Sequence, residues 1–213
     1  MRFAVARDKM VREQLIARGV TDDKVIEAMR KVPRHRFVDS ALADRAYGDY
    51  PLPIGSGQTI SQPYIVALMT EALELTPTDN VLEIGTGSGY QAAVLAETAE
   101  KVYTIERIKE IEAKARRILD ELGYHNVASR VSDGTYGWKE KAPFDSIIVT
   151  AAAPDLLDSL IGQLKVNGRM VLPVGSPMSQ TLIKLVKTPM GTRTQNLTGC
   201  VFVKLIGAYG FDE

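Results

Sequence analysis

Apolar positions recur at helical spacing in the first part of the chain and in short unbroken runs after residue 80. Met10, Leu15 and Ile16 mark a first helix that stops at Gly19. Thr21 stands where it can cap a second, with Asp22 and Asp23 in its first turn and Val25, Ile26, Met29 and Val32 along one side. Pro33 ends that helix. Residues 46–63, "AYGDYPLPIGSGQTISQP", break both periodicities, with Gly48, Pro51, Pro53 and Gly55 ahead of Gly57. The stretch predicts an extended loop, and loops of that length are commonly functional. A helix over 64–75 follows.

From residue 80 onward, short apolar runs alternate with helical patterns. Strands are predicted over 81–84, 101–105, 127–131 and 144–150, the last apolar throughout, as a strand covered on both faces should be. Ile108, Ile111, Ala115, Ile118 and Leu122 share a helical face that closes at Gly123. A helix over 155–164 leads to a strand over 169–173, and the runs 181–186 and 200–205 read as further strands. This alternation predicts an α/β fold, a Rossmann-like three-layer sandwich around a mainly parallel sheet. Ligands of such sheets sit beyond the carboxyl ends of the strands, where Gly85, Glu106, Asp133 and Thr150 fall.

The 213 residues suit one sizeable core, so the chain is expected to be a single domain over 1–213, with 1–75 as a helical and active-site-loop extension. Lys plus Arg and Asp plus Glu number 26 each, which leaves no basic field for a general nucleic-acid binder. The lone cysteine, Cys200, excludes an internal disulfide and a cysteine-rich metal site; in its apolar run it reads as a buried small hydrophobe. No metal site is predicted. The N-terminal stretch is charged from its second residue, and no apolar run approaches the roughly 18 residues of a membrane span. A soluble cytoplasmic protein without membrane partners is the expectation.

The stretch "VLEIGTGSGYQAAVLAE" orders strand, tight turn and helix, with Gly85, Gly87 and Gly89 at alternate positions and Thr86 between the first two. Such a turn brings backbone close to a ligand at a helix N-terminus. A dinucleotide fingerprint would need a third glycine at position 90, which is Tyr90. Glu83, one residue before the strand end, would repel a pyrophosphate and suits a ligand bearing an ammonium and a sulfonium. S-adenosyl-L-methionine has those groups and no phosphate. Glu83 as a solvated strand end is the bland alternative. Glu106 can accept from ribose hydroxyls; alone it would read as a surface acid, and the glycine turn tips it toward the ribose. Asp133-Gly134 reads equally as an adenine contact or as an ordinary turn.

"YGDYPLPIGSGQTISQP", taken with "VLEIGTGSGYQAAVLA", "YTIER", "SDGTYGW", "PFDSIIVTAAAP" and "GRMVLPVG", resembles the protein-L-isoaspartate (D-aspartate) O-methyltransferase family over nearly the whole chain. The glycine turn alone indicates a class I methyltransferase; "GQTISQP" and "TAAAP" are more specific. The resemblance implies methyl transfer from S-adenosyl-L-methionine to the free carboxylate of L-isoaspartyl residues in damaged proteins, with S-adenosyl-L-homocysteine as product and repair as the role. It places the active-site hydroxyl on Ser61, a cofactor-contacting loop on Gln58, Thr59 and Ile60, and the cofactor pocket on Glu83, Gly85, Glu106, Asp133 and Gly134, with the rest of the glycine turn, Thr86, Gly87 and Gly89. Tyr64 carries no assigned role, because some members have His there.

The chemistry is consistent with these residue types. A carboxylate, with an ordinary pKa of about 4, is already a nucleophile at neutral pH and needs no general base. The only histidines, His35 and His125, both read as structural. Methyl transfer needs alignment instead, and a hydroxyl on a glycine-flanked loop can hold a carboxylate. Ser61 could equally cap the helix that follows. Two competing functions are weighed. A methyltransferase for RNA or an amine would want a carboxylate or aromatic clamp at the end of the 144–150 strand, where the chain has Thr150-Ala151-Ala152-Ala153-Pro154. A non-catalytic adenosine-binding module would not need the Gln58 to Ser61 loop.

Overall fold

Alternating side chains along the central strands divide the core between two faces. The structure, a computed structural model, describes residues 2–212; Met1 and Glu213, the two ends of the expected single domain, lie outside the described residues. Helix α1 (Arg2–Met10) continues through a wide turn over Val11–Leu15 and a tight one over Ile16–Arg18. It stops at Gly19, whose φ of 93° few other residues adopt. Ile16, expected on the buried face, is exposed because the helix tightens there. Helix α2 (Asp23–Lys31) is capped by Asp22, which accepts from the Lys24 amide, and not by Thr21. The Thr21 amide and hydroxyl both turn to Glu71 instead.

The expected loop over 46–63 contains an antiparallel hairpin of β1 (Leu52–Gly55) and β2 (Gln58–Ile60). Its two turn residues, Ser56 and Gly57, both have positive φ, the geometry that suits the twist of a hairpin. Pro51 and Pro53 look like strand breakers, yet a two-stranded ribbon has free edges where a missing N–H costs little. Helix α3 (Pro63–Ala72) follows, three residues shorter at its end than expected.

The strand and helix bounds then agree with expectation through β3 (Asn80–Ile84), α4 (Tyr90–Ala96), β4 (Lys101–Glu106), α5 (Lys109–Glu121), β5 (Val127–Val131) and β6 (Phe144–Val149). Helix α6 (Asp158–Ile161) has only four residues, not the ten expected. Bridges from Ala152 to Lys204 and from Ala153 to Val174 hold the preceding chain extended, so the helix starts late. Strands β7 (Leu164–Ser176), β8 (Ser179–Thr188) and β9 (Gly191–Cys200) complete the chain's sheet. The expected strand over 200–205 is displaced: the regular pairing is made by the polar residues before it. Cys200 is half-buried, not buried.

The sheet order is β5-β4-β3-β6-β7-β8-β9, with β5 to β7 parallel and the last two strands antiparallel additions. Val81, Val102, Ile148 and Val171 face the cluster shared with α2, α3 and α4. Leu82, Tyr103, Ile147 and Met170 face the thinner layer with Leu157 and Leu160. The order reverses between β3 and β6, and a crevice opens at such a switch point.

Candidate functional site

At the carboxyl ends of β3, β4 and β6 the sheet opens into a cleft, where ligands of such sheets are bound. Gln58, Thr59, Ile60 and Ser61 form one wall. Gly85, Thr86, Gly87, Glu106 and Gly134 form another, and residues 203–206 close a third side. Glu83, Gly89 and Asp133 do not reach the cleft surface.

The glycine turn is pinned from two directions. The Gly85 and Thr86 amides donate to the Ile105 carbonyl at 2.8 and 3.3 Å, and the Gly87 amide donates to Glu106 Oε2 at 2.9 Å. Gly85 has a φ of 96°, and a Cβ on it would stand 2.5 Å from Thr150 Oγ1. That hydroxyl donates back to the Gly85 and Ile84 carbonyls, at 2.6 and 3.0 Å. Only glycine meets both demands. Glu106 Oε1 accepts from the Arg107 and Ile108 amides. A carboxylate has about four acceptor positions, so one on Oε2 remains open beside the cleft.

Glu83 is not a solvated strand end; it is fully buried. Its Oε2 accepts from Thr104 Oγ1 at 2.5 Å, and Thr104 in turn pairs with the cleft-lining Thr86 at 2.6 Å. Oε1 has no partner. Burial pushes the carboxyl up, the Thr104 hydroxyl pulls it partly back, and Glu106 adds to the rise, to about 8. Asp133 caps the short turn Gly134–Tyr136 by accepting from the Thr135 amide and hydroxyl, and its other oxygen takes the Ala208 amide. It therefore ties the C-terminal segment beneath the cleft. Burial raises Asp133, but these hydrogen bonds, with Arg107 nearby, outweigh it and hold the carboxyl below its ordinary range.

Ser61 directly follows β2. The cap of α3 is Gln62, so the capping alternative for Ser61 does not apply. Among the described residues its hydroxyl has no hydrogen-bond partner, while its carbonyl accepts from Arg34 at 2.7 Å. His35 stacks on Phe3 and meets Tyr47, away from the cleft, and His125 is exposed. Burial pushes the Cys200 thiol up to about 11, which leaves it unreactive at neutral pH. No group of metal-ligating side chains occurs among the described residues.

Sequence reasoning placed Thr150 at a strand end without a role of its own, and missed Thr104, Arg34 and the 203–206 wall. Thr104 was visible as a polar residue inside an apolar strand. Arg34 had no comparable signal, because a basic residue next to Pro33 reads as solvated.

Residues 6–210 match the family model for protein-L-isoaspartate(D-aspartate) O-methyltransferase. A protein-L-isoaspartate O-methyltransferase of Geobacter metallireducens is 59% identical, covering 99% of this chain and 98% of its own. That of Desulfosudis oleivorans is 57% identical, over 100% and 96%. Among solved structures, a protein-L-isoaspartate O-methyltransferase aligns with a TM-score of 0.87 at 30% identity, over 96% of this chain and 67% of its own. A candidate enzyme of the same name from Plasmodium falciparum, in complex with S-adenosyl-L-homocysteine, aligns with a TM-score of 0.81 at 26% identity, over 94% and 98%.

Proposed function

The chain belongs to the protein-L-isoaspartate(D-aspartate) O-methyltransferase family, and on that premise we propose that Ser61 orients the acceptor carboxylate while the glycine turn, Glu83 and Glu106 hold the methyl donor. The enzyme transfers a methyl group from S-adenosyl-L-methionine to the free carboxylate of L-isoaspartyl residues in damaged proteins, initiating their repair. The observation that carries the assignment is the unpartnered Ser61 hydroxyl, held at the cleft wall by a clamped backbone.

The residues present fit the donor. Gly85 and Gly134 both line the cleft, and a Cβ on either would strike a neighbouring side chain, Thr150 or Ile84, so both present bare backbone there. When bound, S-adenosyl-L-methionine supplies an electrophilic methyl on a positively charged sulfur. Glu106 has one free acceptor position for a ribose hydroxyl; accepting from both hydroxyls requires one backbone amide to let go. Thr86, Gly87 and Gly89 shape the turn. Glu83, with its unpaired Oε1, connects to the cleft side through Thr104 and Thr86 and favours a cation there in its ionised form. Gln58, Thr59 and Ile60 face the donor across the cleft. Asp133 serves the adenine side indirectly, by holding the wall at Gly134 through Thr135 and Ala208.

Methyl transfer then depends on alignment and exclusion of water, with no proton removed from the acceptor. In this reading residues 1–75 are an extension of a single domain that brings the acceptor loop to the sheet. Polypeptide is the partner, not nucleic acid or membrane, in keeping with the even charge balance. No helix among the described residues is long and apolar enough to cross a membrane. A cytoplasmic setting belongs to the same reading.

The test supplies methyl-labelled S-adenosyl-L-methionine with a peptide containing L-isoaspartate, the same peptide with L-aspartate, and RNA. Label on the first alone, lost in mild base as a carboxyl ester should be, is the expected result. Base-stable label, or label on RNA, would overturn it.

A further inference from the structure

Arg34 lies on the short turn Arg34–Phe37 after α2, and none of its surface reaches solvent. Its Nε donates to the Ala46 carbonyl at 2.7 Å and its Nη2 to the Ser61 carbonyl at 2.7 Å. The guanidinium carbon stands 4.8 Å from the centroid of Tyr90, the first residue of α4 and part of the cleft wall. Nη1 has no partner. No carboxylate bridges to Arg34 among the described residues; Asp49, the acid that acts on it through space, is bridged to Arg18 instead. Burial lowers Arg34 to about 10, which leaves it charged at neutral pH.

A cation in a protein interior without an ion-pair partner is costly. This one sits directly behind the wall where an anion is expected to arrive. It also restrains the rotation that would turn the Ser61 side chain away, because fixing the Ser61 carbonyl limits that residue's ψ. Arginine can do this where lysine cannot: its planar fork serves two carbonyls, on segments 12 and 27 residues away in sequence, at once.

We propose that Arg34 is a positioning residue for methyl transfer, which locks the Ser61 backbone against Ala46 and places positive charge behind the acceptor carboxylate. The proposal rests on Ser61 being the acceptor contact. It separates two effects. The charge governs how well the anionic acceptor binds, and the fork governs how well it is aligned.

The experiment measures kcat and KM for an L-isoaspartyl peptide, S-adenosyl-L-homocysteine affinity by calorimetry, and melting temperature, for the parent, Arg34→Lys and Arg34→Met. Arg34→Lys keeps the charge and loses the fork, so kcat should fall about ten- to a hundredfold with little change in KM. Arg34→Met loses both, so KM should rise about tenfold as well. Affinity for S-adenosyl-L-homocysteine should stay within about threefold in each, because Arg34 does not line the donor side of the cleft. A merely structural Arg34 would lower the melting temperature and leave kcat and KM of the folded enzyme at parent values, and that result overturns the proposal. Loss of cofactor affinity in step with activity overturns it too. If Arg34→Met does not fold, Arg34→Lys decides alone. A parent that fails to label the peptide refutes the assigned acceptor; a parent that labels it beside variants of equal activity refutes only the role of Arg34.

Discussion

Glu83→Gln should remove a pH dependence of stability. In the parent the carboxyl is fully buried, accepts one hydrogen bond from Thr104 and leaves Oε1 unpaired. Its pKa is pushed up to about 8 from an ordinary 4.5, chiefly by burial. The folded protein therefore keeps a proton that the unfolded chain releases near 4.5. Stability from that proton is fully present below about pH 4.5 and is lost as pH rises through about 8. The slope is about 1.4 kcal/mol per pH unit, so the whole window is worth on the order of 5 kcal/mol. Glutamine does not titrate, keeps the acceptor for Thr104 and puts an unpaired amide where Oε1 was, at a cost of about 1–3 kcal/mol. The two stability curves should cross: the parent is the more stable at pH 5, the variant at pH 9. Urea unfolding of both proteins at half-unit steps from pH 5 to 9 gives the difference, in which other titrating groups cancel. A constant difference across the range would refute the burial argument. A donor ammonium should favour the ionised acid, so S-adenosyl-L-homocysteine should bind the parent more tightly as pH rises toward 8, and Glu83→Gln should lose that dependence.

Ser61→Ala should lower turnover with stability changed by less than about 0.5 kcal/mol, since the hydroxyl neither caps α3 nor bonds to the protein; equal specific activity in the labelling assay would remove its assigned role. Glu106→Ala should weaken S-adenosyl-L-homocysteine binding about ten- to more than a hundredfold by calorimetry, because it removes the ribose acceptor and frees the Gly87 amide. Unchanged affinity with a normal melting temperature would reject the ribose contact. Gly85→Ala should lower both melting temperature and affinity, since its φ of 96° costs a side chain about 1–2 kcal/mol before the clash with Thr150 is counted. Retention of both properties would show that the turn can relax.

Local pattern determined what depends on neighbours in the chain. The apolar run of β6 had to be buried on both faces, Gly19 and Gly123 had to close helices, and Gly85, Gly87 and Gly89 had to form a tight turn before α4. The position of Glu106 and Asp133 at strand ends followed from the same periodicity, and the motif around Gln58 to Ser61 carried the family resemblance. What that pattern could not supply was pairing between distant segments. Pro51 and Pro53 read as breakers until β1 found β2, and the polar residues of β9 had no hydrophobic signal because the strand is an exposed edge. The ten-residue helix expected after Pro154 shrank to α6 because Ala152 and Ala153 bridge to Lys204 and Val174. Burial likewise came only with the fold. Glu83 became a partly unpaired interior acid through its contact with Thr104 across two strands, and Arg34 became an interior cation by reaching Ala46 and Ser61. A charge in sequence carries no mark of its solvent; only the packing of several elements around it removes the water, and with it the ordinary pKa.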